Sequence, residues 1–415
     1  MTDVVVVGAG LAGLACAGDL ARAGISCGVV EASDGIGGRV RTDTVDGYRL
    51  DRGFQILLDA YPEVQRRLDV DALALGRFEP GAVVRIGGRF RRVGDPLRRP
   101  WDLPATLAAP IGTLADKVRV ARLVLDVRTH RVGELLRRPD GTTAQRLTSA
   151  GFSDRIIASF WRPLFAGIQL DPALEVSSRR FDVILRMLAV GGTGVPAEGM
   201  GAIPAQLAAA LPPGTVRLGA RVAAVAPGGV VLGDGERLGA RAVVVATDGP
   251  TAHRLLGARV PDPGSRAAAC CWFGAPSAPL AGARLILDGE GSGPARNVAV
   301  MSEVAPTYAP PGRSLLMAAV PGPDALDPSV TERVRRQLAQ WFDSSLGDWE
   351  LLRTDVIAHG QPAQAPPFHP KRNVDLGEGV FVCGDHRDTA SIQGAMFSGG
   401  RTASAVVAFL AGKPN

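Results

Sequence analysis

The opening of the chain, "DVVVVGAGLAGLACAGDLARAG" at residues 3–24, limits the fold more than any other stretch. Four consecutive valines suit a parallel strand buried on both faces. They run directly into Gly8-x-Gly10-x-x-Gly13 and then into an alanine-rich helical stretch, so the order is strand, tight turn, helix. Each glycine has a physical task. Gly8 permits the turn, Gly10 lets a pyrophosphate approach the backbone, and Gly13 lets the helix pack closely on the strand. Ala9, Leu11 and Ala12 complete the loop and helix start, where free N–H groups and the helix dipole favour phosphate.

A second strand, "SCGVVEA", ends in Glu31-Ala32. Glu31 stands where dinucleotide folds place an acid on the adenosine ribose hydroxyls, and a carboxylate there repels a 2′-phosphate. The nucleotide expected is therefore FAD or NAD, not NADP. A further glycine pair, Gly37-Gly38, is followed at once by Arg39, whose guanidinium suits a pyrophosphate because it forks to two oxygens.

With Glu31, Gly37, Gly38 and Arg39 in this pattern, the chain resembles the flavin-containing amine oxidase superfamily, which includes carotenoid desaturases and isomerases and protoporphyrinogen oxidase. The resemblance implies FAD as cofactor. It also implies an α/β fold: a Rossmann-type FAD-binding domain of the glutathione-reductase-like two-dinucleotide-fold family, with an inserted α+β substrate domain. By the same resemblance Gly53, Phe54 and Gln55 of "LDRGFQ" lie near the isoalloxazine, with Gln55 the polar side chain nearest the reacting centre. A plain β-hairpin is the other reading of that stretch. The strand "GVFVCGD" would bring Gly384 and Asp385 to the ribityl hydroxyls. The closing helix would bring Gln393, Gly394, Ala395 and Met396 to the N1–C2=O edge of the flavin. Val222, in the strand-rich region 214–250, would cover the adenine by a backbone contact, and "AVVVATD" would return to the main sheet.

These regions divide the chain into an FAD-binding domain of residues 1–90, 212–262 and 350–415 and a substrate domain of residues 91–211 and 263–349. "GAVVRIGGRFRRV" reads as a hairpin about Gly87-Gly88. "GGTGVP" has no strand in βαβ register before it and reads as a linker. In "TLADKVRVARLVLDVRTH" Val120, Leu123, Val124 and Val127 share one helical face, with Lys117, Arg119, Arg122 and Arg128 mostly elsewhere. An ordinary amphipathic helix is the preferred reading, and a membrane-surface helix admitting a lipophilic substrate, with Trp101 upstream, is the competing one.

Composition narrows the partners. The net charge of +5 is carried by arginines scattered among acids, which fits a solvated surface and not nucleic acid. The five cysteines show no C-x-x-C spacing, so no metal site or disulfide framework is expected. The apolar opening is too short for a membrane span and lacks a basic leader, which makes a cytoplasmic protein the expectation.

No persuasive nucleophile–base pair appears, so the reactive group is expected to be the cofactor. Of the three lysines, Lys117, Lys371 and Lys413, none matches the position where amine oxidases of the superfamily keep a lysine near the flavin. The reading preferred is an FAD-dependent, desaturase-like oxidoreductase acting by hydride transfer to flavin N5 on an apolar isoprenoid or polyene. Only one convincing dinucleotide loop is present, so the electron acceptor expected is oxygen or a quinone. An amine oxidase, a protoporphyrinogen-oxidase-like enzyme and a non-catalytic flavin-dependent ligand-binding protein stay open, as do oligomeric state and peripheral membrane contact.

Overall fold

The computed structural model describes residues 2–95, 98–342 and 348–412. The valine run forms the strand Thr2–Val7, with Val4 to Val7 all buried. It lies between Cys27–Val30 and Arg237–Val245, both parallel to it. Val216–Arg217 extends this sheet on one side and Val380–Val382 on the other, again in parallel. The hairpin strands Val222–Ala226 and Gly229–Leu232 pair antiparallel onto the beginning of Arg237–Val245 and complete a seven-stranded sheet.

The helix Leu11–Arg22 follows the first strand, and Ile392–Leu410 packs across it. Small residues set the closeness of both contacts. A Cβ on Gly13 would sit 2.0 Å from the Gly8 carbonyl oxygen, and one on Gly399 would sit 2.3 Å from that of Ala12.

A second seven-stranded sheet runs in the order Glu350–Pro362, Ser265–Ala275, Ser314–Pro321, Asn297–Val300, Leu285–Asp288, Gly81–Ile86 and Arg89–Gly94. Only Leu285–Asp288 and Gly81–Ile86 pair in parallel. Side chains alternate across it as the pleat requires. Cys270 and Trp272 join the core shared with the first sheet, while Ala269, Cys271 and Phe273 pack under the helix Val330–Phe342. A third core, around Trp161, Phe165 and Phe181, fills the helical region that holds Leu114–Thr129 and Ser178–Val190.

Gly81–Ile86 and Arg89–Gly94 form the expected hairpin, with Gly87 and Gly88 at φ +62° and +68°. Sheet membership departs from the expected boundaries at 90 and 350. Gly81–Ile86 pairs with Leu285–Asp288, and Glu350–Pro362 with Ser265–Ala275, so both belong to the second sheet. The stretch expected as a linker holds the short strand Thr193–Val195, which pairs with Leu57–Leu58 and Gly76–Arg77 because Gly194 leaves room for the Gly76 carbonyl.

Candidate active site

The two glycine segments of the N-terminal region meet in space. Gly37 N–H donates to the Ala9 carbonyl at 2.8 Å, and Gly38 packs against Gly10. Gly8, at φ +107°, makes the turn. A Cβ on Gly10 would meet no heavy atom within 4 Å, because that position opens into a cavity. Glu31 closes the loop from the side. Its Oε2 accepts from the Ala9 N–H at 2.8 Å, and its Oε1 accepts from the N–H and hydroxyl of Ser33. Ala220 N–H donates to the Glu31 carbonyl, which brings Val222 to the same end of the cavity.

The cavity measures about 1570 Å³. A single small-molecule site occupies roughly 300–1,000 Å³, so there is room here for a dinucleotide and a second ligand. From the Gly8–Ala12 loop it passes Arg39 and the Gly53–Gln55 segment to Tyr61 and Arg180. The same cavity includes an apolar chamber walled by Phe78, Phe160, Trp161, Leu164, Ile184 and Leu188. Its far end reaches the helix Leu114–Thr129.

Arg39 and Asp385 sit at the centre. Arg39 Nη2 donates to Asp385 Oδ1 at 2.9 Å and Nη1 to the Gly360 carbonyl at 2.7 Å. Burial works against the Asp385 carboxylate, but the Arg39 guanidinium outweighs it and holds the group below the usual carboxylate range. Gln55 Nε2 donates to the Arg39 carbonyl at 2.7 Å, while its buried Oε1 has no partner. The amide thus fixes Arg39 beside the cavity.

Most of the expected site residues line the cavity: Gly8, Gly10, Leu11 and Ala12, Glu31 and Ala32, Gly37 to Arg39, Gly53 to Gln55, Val222, Gly384 and Asp385, and Ala395. Five do not. Ala9 turns its N–H to Glu31, and Gly13 lies against the Gly8 carbonyl, a packing role. At the start of the closing helix the Gly394 N–H is taken by the Ser391 hydroxyl at 3.0 Å. Gln393 turns its Oε1 to the Glu63 N–H at 2.8 Å, and Met396 is buried in the core. The helix end therefore meets the cavity through Ser391, Ile392 and Ala395.

Two further residues stand at the junction, and nothing in their local sequence marks them. Arg180 lies on the helix Ser178–Val190 and is almost wholly buried. Its Nη2 donates to the Ala390 carbonyl at 2.8 Å and to Gln361 Oε1 at 3.3 Å, and its Nη1 has no partner. Burial brings its guanidinium down to about 10, still cationic at neutral pH. Tyr61, hydrogen-bonded to Ser391, is pushed up to about 12 by burial and keeps its proton. A glycine cradle open to the cavity at Gly10, with the Arg39 guanidinium and the Asp385 carboxylate beside it, is what a bound flavin nucleotide would fill.

The lining carboxylates outside the nucleotide end are paired with arginines: Asp59 with Arg77, Glu79 with Arg99 and Arg284, and Asp95 with Arg98. Among the described residues no group of histidines, cysteines and carboxylates is arranged to hold a metal ion.

Comparison with known proteins agrees with this geometry. Phytoene dehydrogenase of Streptomyces griseus is 32% identical over 61% of this chain, and the match spans only 56% of that protein's length. Hydroxysqualene dehydroxylase of Rhodopseudomonas palustris is 26% identical over 97% of this chain and 98% of its own. Among solved structures, an oxidoreductase from Methanosarcina mazei superposes with a TM-score of 0.75 at 20% identity, covering 98% of this chain and 99% of that one, a likeness of fold. The family description "flavin containing amine oxidoreductase" matches residues 11–407, so the chain belongs to that family and is a flavoenzyme, an oxidoreductase whose cofactor is FAD.

Proposed function

We propose that the enzyme oxidises a long, apolar isoprenoid or polyene, in the manner of a desaturase. The observation that carries this reading is the apolar chamber opening directly off the Arg39–Asp385 centre, with its carboxylates already held by arginines. Among the described residues the chamber's carboxylates are already ion-paired, and an alkylammonium substrate would meet the buried cation of Arg180. A hydrocarbon needs only the chamber walls. The relatives add weight, since phytoene and hydroxysqualene, the compounds in their names, are both long isoprenoid chains.

In this reading the Gly8–Ala12 loop and Arg39 hold the diphosphate, Glu31 and the Ala220–Val222 segment hold the adenosine, and Asp385 accepts from the ribityl hydroxyls. Gly53 to Gln55, Tyr61, Ala395 and Arg180 surround the ring. When bound, FAD would supply the two-electron redox chemistry, hydride acceptance at the flavin ring, with oxygen or a quinone as the electron acceptor. Arg180 places a fixed positive charge at the ring end, where it stabilises negative charge that develops during reduction. Trp161, Phe160 and Leu188 exclude water and align the chain.

Anaerobic titration of the FAD-loaded protein tests the proposal. Bleaching of the flavin band by detergent-dispersed isoprenoids, reversed on admitting air or a quinone, is the expected result. Bleaching by alkylamines with none by isoprenoids would overturn it.

A further inference from the structure

The hairpin of Thr42–Val45 and Tyr48–Asp51 belongs to neither large sheet, and among the described residues its two strands pair only with each other. A two-stranded ribbon on its own is marginal in water, so its place in the molecule is set by other contacts. It leads straight into Arg52 and the Gly53–Gln55 segment, which line the cavity. What holds the hairpin therefore holds that wall.

Tyr48 and Leu50 anchor the hairpin in the shared core. Its polar side is held by an alternating chain of charges that starts in the second sheet. Trp272, fully buried on Ser265–Ala275, donates its Nε1–H to Asp355 Oδ2 at 3.1 Å. Asp355 Oδ1 lies 3.0 Å from Nε of Arg353, on the same strand Glu350–Pro362. Arg353 Nη1 donates to Asp43 Oδ2 at 2.8 Å, and Asp43 also accepts from Nε and Nη2 of Arg52 at 3.0 and 3.1 Å. The chain thus runs from the core of the second sheet to the cavity wall.

Arg353 is the link that crosses from sheet to hairpin. Besides Asp43 on one strand, it reaches the other, where its Nη2 donates to the carbonyls of Leu50 at 3.1 Å and Asp51 at 3.4 Å. One planar guanidinium joins both strands to its own sheet, a geometry that an ammonium cannot copy. The sheet leaves no slack at the next residue. Gly53, at φ +85°, lies so close to Ile357 that a Cβ would come within 2.5 Å of Ile357 Cδ1. The same sheet supplies Ala268, Leu285 and Asn297 to the cavity wall, so the contact ties Gly53–Gln55 to the chamber.

We propose that Arg353 is a positioning residue for the oxidation: it holds Gly53–Gln55, and the flavin ring that this segment borders, in fixed register with the chamber wall. This rests on the reading above that places Gly53–Gln55 beside the ring. Misplacing reacting groups by about 1 Å costs on the order of a hundredfold in rate, so losing this link slows the reaction without emptying the site. The Tyr308 hydroxyl, bonded to Asp51 at 2.8 Å, keeps the hairpin docked when Arg353 is changed.

FAD-loaded wild type, Arg353→Met and Arg353→Lys are compared by hydrogen exchange, by the flavin visible band and by anaerobic bleaching with detergent-dispersed isoprenoid. In Arg353→Met the amides of residues 48–55 should exchange at least about tenfold faster, while the Gly8–Ala12 loop stays protected and FAD stays bound. The flavin band should shift, and the limiting bleaching rate should fall about ten- to a hundredfold with the half-saturating concentration moving less than about threefold. Arg353→Lys, which keeps the charge but not the fork, should fall between. Unchanged exchange overturns the proposal. Faster exchange with a wild-type flavin band and bleaching rate also overturns it, since the contact is then structural alone. If Arg353→Met does not fold, Asp43→Asn, which removes the carboxylate that Arg353 reaches on the hairpin, is judged by the same measurements. If isoprenoid does not bleach even the wild type, the substrate reading fails, and exchange together with the flavin band decides the role of Arg353.

Discussion

At the dinucleotide end of the cavity the wall is mainly backbone, whereas in the apolar chamber it is side chain. Gly8, Gly10, Gly37 and Gly38 bring main chain to the surface, and the charged groups behind them are few and paired. The chamber draws Phe78, Trp161, Leu188 and Leu285 from separate stretches of the chain, and its carboxylates Asp59, Glu79 and Asp95 are paired with arginines. The difference separates two jobs. A backbone cradle recognises a constant ligand, while a side-chain wall can be reshaped without disturbing it.

That separation can be broken by mutation. Trp161, buried among Phe152, Phe160, Phe165 and Phe181, is the centre of the chamber's core. Trp161→Ala should cost about 3–5 kcal/mol in chemical denaturation, with FAD affinity of the folded fraction little changed. Arg39→Ala should do the converse. It removes a charged hydrogen-bond partner worth about 1.5–3 kcal/mol and should weaken FAD retention roughly ten- to a hundredfold in an equilibrium titration, with Arg39→Lys recovering part. Loss of FAD from the tryptophan variant alone would dissolve the distinction.

A smaller effect sharpens it. Leu188→Trp fills the chamber beside the buried helix Ser178–Val190. Steady-state assays should show KM for a long isoprenoid rising several-fold while the flavin spectrum and content stay at wild-type values.

The smallest expected effect concerns pH. Asp51, buried and bonded to Tyr308 and the Met200 N–H, is raised by burial to about 6, so between about pH 4 and 6 the folded state holds more protons and stability falls as pH rises. His386 at the dinucleotide end is lowered by burial to about 4, so over about pH 4–6.5 the unfolded state holds more protons and stability rises with pH. The two oppose each other in wild type. In Asp51→Asn, denaturation between pH 4 and 6 should show a steeper gain of stability with pH, by at most about 1.4 kcal/mol per pH unit. An unchanged slope would remove Asp51 from this balance.

The dinucleotide end was largely legible in the sequence because Gly8 through Arg39 are close in the chain, and each type has a local mechanical reason. Gln393 does not line the cavity, and its side chain turns to the Glu63 N–H, a contact with a distant helix that no spacing in the closing helix announces. Arg180 and Tyr61 escaped for a related reason, since their role depends on Ala390, Gln361 and Ser391, brought near by tertiary packing. The order of the second sheet was hidden too, because Gly81–Ile86 finds its parallel partner about two hundred residues away at Leu285–Asp288. The amphipathic pattern of Leu114–Thr129 gave the buried stripe, but only the packed structure leaves Leu114, Val118 and Leu125 exposed.

The most direct test is a crystal structure of the enzyme with FAD and a long, unreactive isoprenoid. We expect the diphosphate on the Gly8–Ala12 loop beside Arg39, the flavin ring between Gln55 and Arg180, and the isoprenoid running past Trp161 and Leu188 toward Leu114–Thr129. A flavin ring seated in the apolar chamber, or an isoprenoid bound outside this cavity, would contradict the account.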